Sequence, residues 1–537
     1  MLACKTTAHL LSGPPPPKPL DRFRYLMPSE TIPFSATPPH RSGWQRSAPE
    51  IGLAGLALLL FFAVCHRVLQ TPLWSFNGAR LMPSVALGGG IDFYVLLPPG
   101  GPLYSVVYGP MFAIVYLPAT LFSSPNSAVL AGAAITVILC FSAAAFMHFT
   151  PLRSGGGRID ALAFLTAGLL MCFLEPLKYS CFNVHADGPG LAFGGMACAA
   201  LYSSGLDKRR VALPASALCA VFAIFCKQMF LPVPAALVVY LWVATGGARA
   251  VRYLLWLDVA GALATAAALY LAGPARLYHC LIWLPAHHPW DLVSALQATR
   301  NFILLSMPVP VLLLACAVYL CTAPQLRGSM LRVLATNRAA PLLLVGVALL
   351  PFSIAGRAKA GGDINSLSFA LFFLACGLTV MLADVAHDAE SGSTRRLAVS
   401  VLVAIALPLA LFEAPLVFDI RASVQRLPQA EQQVVFEYLN RHPGAAYFPW
   451  FPLAHYCAEH RFYHYSYGIV ERLLAGEPVS MADFRAYIPP NPRVVAFGAD
   501  GSPRLLGYDL MQYMPEYTYP VHDPELPGWL VYGKAPR

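Results

Sequence analysis

From about residue 50 to residue 417 the chain is a succession of apolar runs close to 20 residues long, separated by short polar breaks. A bilayer core about 30 Å thick takes roughly 20 apolar residues to cross as a helix. In hydrocarbon every backbone N–H and C=O must be paired within its own segment, so runs of this kind are helices. The clearest cover residues 50–70, 126–149, 160–176, 188–204, 211–226, 229–245, 254–273, 301–321, 339–355, 366–384 and 397–417. With 57% hydrophobic and 12% charged residues among 537, the chain carries more apolar surface than one aqueous core could hide. Lipid is therefore the solvent for most of it.

One further run, Tyr104 to Phe122, is long enough to cross but is interrupted by Pro110 and Pro118. Each proline costs about 3 kcal/mol in a helix interior. Charge counting decides its fate. If it does not cross, the cytoplasmic loops after it carry twelve basic residues: Arg153, Arg158, Lys208, Arg209, Arg210, Arg249, Arg252, Arg327, Arg332, Arg338, Arg395 and Arg396. The opposite loops carry six: Lys178, Lys227, Arg276, Arg300, Arg357 and Lys359. Crossing would exchange the two sets and break the positive-inside rule along the whole chain. The run is therefore read as a juxtamembrane or re-entrant hairpin. The expected fold is an all-α polytopic membrane protein of about 11 transmembrane helices plus that hairpin, with the amino end cytoplasmic.

Residues 1–48, with Pro14 to Pro17 and scattered Lys and Arg, read as a disordered cytoplasmic lead. Residues 49–417 form the transmembrane domain, whose first outer loop is 71–125. From 418 to 537 the composition turns mixed polar and aromatic, which suits a small extracytoplasmic α/β domain. There Gln429 to Asn440 has helical spacing, and Val494 to Phe497 and Trp529 to Tyr532 look like strands.

The net charge of +9 is spread in short blocks between apolar runs, a topology signal, so no nucleic-acid partner is expected. Most of the 13 cysteines lie inside apolar runs and none forms a CxxC pair. Cys181, Cys280 and Cys457 are the only candidates for a disulfide on the outer side. The histidines at 279, 287, 288, 442, 455, 460 and 464 lack metal-ligand spacing, apart from His460 and His464 beside Glu459, and no metal site is expected.

Four loops on the expected outer side hold the polar residues that could carry chemistry. The first is Gly88 to Tyr94, in which Asp92 is the only carboxylate between the first helix and residue 160. A charge near a bilayer is costly and tends to be functional, although a solvated helix-capping aspartate would look the same. The second is Lys178 to Pro189, where His185 and Asp187 lie two apart and Asp187 also fits a helix cap. The third is Phe225 to Gln228, where Lys227 is either a ligand to an anion or a snorkelling anchor. The fourth is Arg357 to Ser366, whose Lys, Arg and glycine amides suit a phosphate, as would a charge-balanced turn.

In this order the four elements resemble the GT-C glycosyltransferases, which include polyprenyl-phosphate-sugar-dependent protein mannosyltransferases, aminoarabinose transferases and related bacterial mannosyltransferases. Asp92 stands where those families place an acidic residue in the first outer loop, and Tyr108-Gly109-Pro110-Met111 where they carry a proline-interrupted segment. His185-Ala186-Asp187 matches their Arg-x-Asp or His-Pro-Asp helix start, Cys226-Lys227-Gln228 their Lys-Gln element, and Lys359 to Asn365 a Gly-Gly-Asp-x-Asn loop. Many relatives have two adjacent acids where this chain has Asp92 alone, so no divalent cation or other cofactor is expected.

The resemblance implies an inverting sugar transfer from a polyprenyl-phosphate donor, at the outer face of what is expected to be a bacterial inner membrane. Asp92 would act as general base, and Tyr94, Tyr108, His185, Asp187, Lys227, Gln228, Arg357, Lys359, Asp363 and Asn365 would contact substrate. The acceptor, whether lipid, glycan or protein, is not encoded in any motif. A transporter of a small polar or lipid-linked substrate is the main rival, since polar groups and broken helices also mark transport paths. An assembly protein whose outer domain binds a partner is the third reading.

Overall fold

The computed structural model describes residues 43–98, 100–149, 158–203, 211–306, 309, 338–388, 400–401, 407–498 and 501–534. The proline-rich lead up to residue 42 falls outside them. Contacts divide the chain into two units, Met1–Ala48 and Pro49–Arg537, and the second contains the fold described below apart from the first six residues of the first helix.

The helices of the first part are α1 (Gly43–Gln70), α2 (Ser75–Gly88), α3 (Pro110–Val115), α4 (Pro125–Phe149), α5 (Arg158–Met171), α6 (Glu175–Phe182), α7 (Asp187–Ser203), α8 (Ala212–Cys226), α9 (Pro232–Thr245) and α10 (Gly247–Ala272). They are followed by α11 (Pro274–Tyr278), α12 (Leu284–His287), α13 (Leu292–Leu305), α14 (Ala340–Ala358) and α15 (Ser368–Asp388). Among the described residues, six stretches are long and apolar enough to cross a membrane: Ile51–Leu73, Pro125–His148, Gln228–Thr245, Gly247–Ala272, Ala340–Ala358 and Ile364–Asp384. The chain is an integral membrane protein.

The expected span 160–176 is not one straight helix. α5 and α6 meet at a 93° bend, where Leu174 turns extended and Pro176 starts a new helix at a position that needs no amide hydrogen. The expected spans 188–204 and 211–226 meet helices of 17 and 15 residues, Asp187–Ser203 and Ala212–Cys226. Most of 301–321 lies outside the described residues, as do 397–399 and 402–406 of the span 397–417, whose residues 407–413 are helical. The run from Tyr104 to Phe122 is broken as its prolines dictate. An extended stretch leads to the six-residue α3, with Pro110 at its start, and then to a 3-10 turn, Leu117–Leu121, opened by Pro118. Gly109 permits this segment to dock: a Cβ there would lie 2.1 Å from the Phe225 carbonyl oxygen at the end of α8.

The carboxyl-terminal part holds α16 (Ile420–Arg426), α17 (Glu431–Arg441), α18 (Pro452–Glu459), α19 (Ser466–Leu474) and α20 (Met481–Ala486). Its sheet has the order β1 (Ala446–Tyr447), β2 (Val494–Phe497), β6 (Leu530–Gly533), β5 (Tyr519–Pro520). β1 and β2 are parallel and the other pairs antiparallel, with Val495 opposite Tyr532. β3 (Arg504–Leu505) and β4 (Tyr508–Asp509) form a separate small hairpin.

Two apolar cores organise the unit. One lies among the long helices. The other runs without a break from α2 and the 93–119 segment into the carboxyl-terminal domain. Hydrogen bonds reinforce that second junction. The Leu103 amide donates to His464 Nδ1 (2.8 Å), the Tyr465 amide to the Leu103 carbonyl (3.0 Å), and Gln432 Nε2 to the Pro72 carbonyl (3.1 Å). Cys181, Cys280 and Cys457 are all free thiols.

Candidate functional site

Where α7 begins, the Asp187 carboxylate is fully buried and both its oxygens are occupied. Oδ1 accepts from Lys227 Nζ at 2.7 Å. Oδ2 accepts from Asn365 Nδ2 at 2.6 Å and lies 2.9 Å from His185 Nδ1. Ser180 Oγ is 3.4 Å from the same oxygen. Two segments remote in sequence, those of Lys227 and Asn365, thus converge with the local Ser180 and His185 on one charge. Such sharing is what a carboxylate out of reach of water requires. Lys227 is 8% exposed, so its ammonium is committed to Asp187 and does not snorkel to an interface.

Tyr108 stands over this cluster. Its hydroxyl is 3.1 Å from His185 Nε2. When His185 Nδ1–H donates to Asp187, Nε2 is left to accept the Tyr108 proton. Lys227 Nζ lies 5.1 Å from the Tyr108 ring centroid and the Arg80 guanidinium 5.3 Å, so one ring faces two buried cations. Tyr94 fixes this segment from behind, donating its hydroxyl to the Tyr108 carbonyl at 2.5 Å. Gln228 Nε2 donates to the Val107 carbonyl at 2.8 Å and to the Leu281 carbonyl at 3.1 Å. Aromatic rings continue the wall: Tyr179 packs edge-on against His185 and Trp74, and Phe76 against Tyr465 and Tyr467.

Sequence reasoning misses Arg80. It is 8% exposed, its Nη1 donates to Ser105 Oγ at 2.8 Å, and its Nε is buried without a partner. The signal that could have found it is a lone cation within the apolar stretch Trp74 to Leu87. Ser105 in turn donates to Glu471 Oε1 at 2.5 Å. Glu471, on α19, is 5% exposed. Burial pushes its carboxyl up to about 7, against the opposing pull of Arg80, Ser105 and Arg472. Its neighbour Arg472 bonds the Val95 carbonyl, Glu477 and His279.

The other expected site residues are placed differently. Asp92 stands on an exposed stretch after α2, paired at 2.6 Å with Arg276. Arg357 Nη1 donates to the Gly362 carbonyl at 2.9 Å. Lys359 bonds the Pro285 carbonyl and covers the Trp290 ring. Asp363 receives the Ile364 amide at 2.6 Å, leaving Asn365 as the member of that loop that reaches Asp187. Gly361, at φ +80°, has no room for a side chain, since a Cβ would meet the Tyr467 hydroxyl at 2.3 Å. Of the residues expected from the sequence, the structure brings Tyr108, His185, Asp187, Lys227 and Asn365 into one contiguous cluster, to which Arg80, Ser105 and Glu471 connect. A cleft of about 690 Å³ in the carboxyl-terminal domain, lined by Arg493, His522, Asp523, Glu525 and Lys534 among others, shares no residue with it.

No protein-family model and no curated protein sequence matches the chain. Among solved structures it is similar to ArnT from Cupriavidus metallidurans. The apo form aligns with a TM-score of 0.54 at 13% identity over 92% of this chain and 100% of ArnT. The form bound to undecaprenyl phosphate aligns with a TM-score of 0.55 at 13% identity over 91% and 100%. A likeness of this extent at such low identity shows a shared fold.

Proposed function

We propose that this chain is a membrane glycosyltransferase that moves a sugar from a polyprenyl-phosphate donor to an acceptor at the outer face of the membrane. The observation that carries the reading is the Arg80 guanidinium, buried beside Tyr108 with an unpartnered Nε–H. A cation held out of water with donors to spare is a costly arrangement, and an anionic headgroup relieves the cost. The shared fold supports the choice of anion, because the ArnT structure holds undecaprenyl phosphate. The excess of basic residues in alternate loops supports placing the carboxyl-terminal domain outside and the amino end in the cytoplasm.

In the proposed step the acceptor hydroxyl oxygen attacks the anomeric carbon as the bond from that carbon to the phosphate oxygen breaks. The leaving phosphate keeps the electron pair, and Arg80 stabilises it beside Tyr108, while Lys227, held by Asp187, adds positive potential from the same ring. Lys359 and Arg357, from the neighbouring loop, add positive potential. Asp92 takes the acceptor proton. Asp187 is unsuited to that role because both its oxygens are already engaged, whereas Asp92 is 45% exposed by its side chain and open to an incoming hydroxyl. The energetic demand on a general base is on the order of 10²–10⁴-fold in rate. Asp92→Asn is expected to abolish transfer by the purified protein while leaving its melting temperature unchanged, and retained turnover would remove Asp92 as the base.

A further inference from the structure

Arg80 on α2 and Glu471 on α19 come from opposite ends of the chain, and both are buried. The Ser105 hydroxyl joins them, receiving Arg80 Nη1 at 2.8 Å and donating to Glu471 Oε1 at 2.5 Å. The geometry is tightly held. A Cβ on Gly468 would lie 2.6 Å from the Leu103 carbonyl oxygen, so α19 and the 103–105 segment are already in contact. His288 Nε2 fixes the Glu471 backbone carbonyl at 3.2 Å. Arg472, next along α19, is turned toward Glu477 and the Val95 carbonyl and so is occupied elsewhere.

We propose that Glu471, acting through Ser105, is the counter-charge that sets how tightly Arg80 holds an anionic lipid headgroup. The inference rests on the donor reading of this site and adds the carboxyl-terminal domain to it. An ionised Glu471 compensates Arg80 and repels a phosphate; a neutral Glu471 leaves the guanidinium free to attract one. Binding of the anion and uptake of one solvent proton by Glu471 are therefore linked. The carboxyl changes charge near neutrality, which places the linkage in a working range of pH. The titratable or charged groups around it are Arg80, Arg472, His288, Cys280, Tyr465 and Tyr467. Of these, Arg80 is the largest influence that favours the charged form.

The test measures the affinity of the purified full-length protein for undecaprenyl phosphate at pH 6 and pH 8, in the wild type, Glu471→Gln and Ser105→Ala. Glu471→Gln is expected to match the wild type at pH 6 and to bind about tenfold more tightly than it at pH 8, equivalent to one unit of linkage. Ser105→Ala should shrink the difference between the two pH values. Equal affinities at both pH values, or weaker binding by Glu471→Gln at both, would overturn the proposal. A ligand-free readout separates it from the donor reading. The melting temperature of the wild type relative to Glu471→Gln is expected to fall as pH rises toward about 7, as the fold is forced to ionise Glu471, and the same comparison made with Arg80→Met in both proteins should extend that fall to higher pH. If the wild type binds no undecaprenyl phosphate but the extension is seen, the donor reading fails and the pairing stands; if Arg80→Met leaves the fall where it was, the pairing itself is wrong.

Discussion

Asp187 Oδ1 and Lys227 Nζ lie 2.7 Å apart, 40 residues distant in sequence, at a point where neither has water to turn to. Breaking such a pair from one side leaves an uncompensated buried charge, which costs about 3–5 kcal/mol, whereas removing both charges is far milder. Lys227→Met is therefore expected to lower the melting temperature sharply, and Asp187→Asn combined with Lys227→Met to recover most of the loss. Thermal unfolding in detergent checks this, and a double variant no better than the single one would show that the pair is not the unit of stability.

Gly109 makes a second, purely steric prediction. Its φ of −68° suits any residue, but a Cβ would lie 2.1 Å from the Phe225 carbonyl, which is backbone and cannot swing aside. Gly109→Ala should thus unseat the Tyr104 to Phe122 segment from α8 and destabilise by about 1–3 kcal/mol as an overpacking substitution. Yield of folded protein and melting temperature report the effect, while Gly100→Ala, with no atom within 4 Å of the added carbon, controls for surface glycines.

His464 gives a prediction in pH. Burial pushes its imidazole down to about 4, from an ordinary 6.5, while Nδ1 accepts the Leu103 amide. The unfolded chain takes up its proton first as pH falls, so this contribution is complete above 6.5 and is lost as pH falls toward 4. Glu471 acts in the opposite sense, its contribution declining as pH rises from 4.5 to about 7. His464→Asn should therefore flatten the loss of stability on acidification from about pH 6.5 to 4.5, measured as melting temperature against pH. An unchanged slope would mean that the junction of Leu103 with the carboxyl-terminal domain does not sense this histidine.

The membrane architecture is legible because it depends on length and apolarity, which a sequence states openly. The fate of Tyr104 to Phe122 follows from Pro110 and Pro118 together with the charge count. Two strands of the carboxyl-terminal sheet, Val494 to Phe497 and the segment around Leu530, are visible as short β-branched and aromatic runs. Residue type and loop order mark out His185, Asp187, Lys227 and Asn365. Their partners are harder to see. Arg80 lies in a largely apolar run with only Asn77 and Ser84 at helical spacing from it, and Ser105 is one hydroxyl in an apolar segment. Glu471 sits on a short amphipathic helix, where a glutamate ordinarily faces solvent. Each gains its role only from packing between remote segments, as with Ser105 and Glu471, 366 positions distant. The 93° bend between α5 and α6 is hidden for the same reason, since continuous apolarity does not report direction.

In the proposed function Arg80, held against Tyr108, receives the phosphate of a polyprenyl-linked sugar. The most direct test is the affinity of purified wild type and Arg80→Met for undecaprenyl phosphate, with melting temperatures recorded alongside. Saturable binding by the wild type is expected, with a loss on the order of tenfold or more in the variant, the worth of one charge-assisted contact to phosphate. Equal binding by a folded Arg80→Met, or a wild type that ignores the lipid yet carries sugar into vesicles, would contradict it.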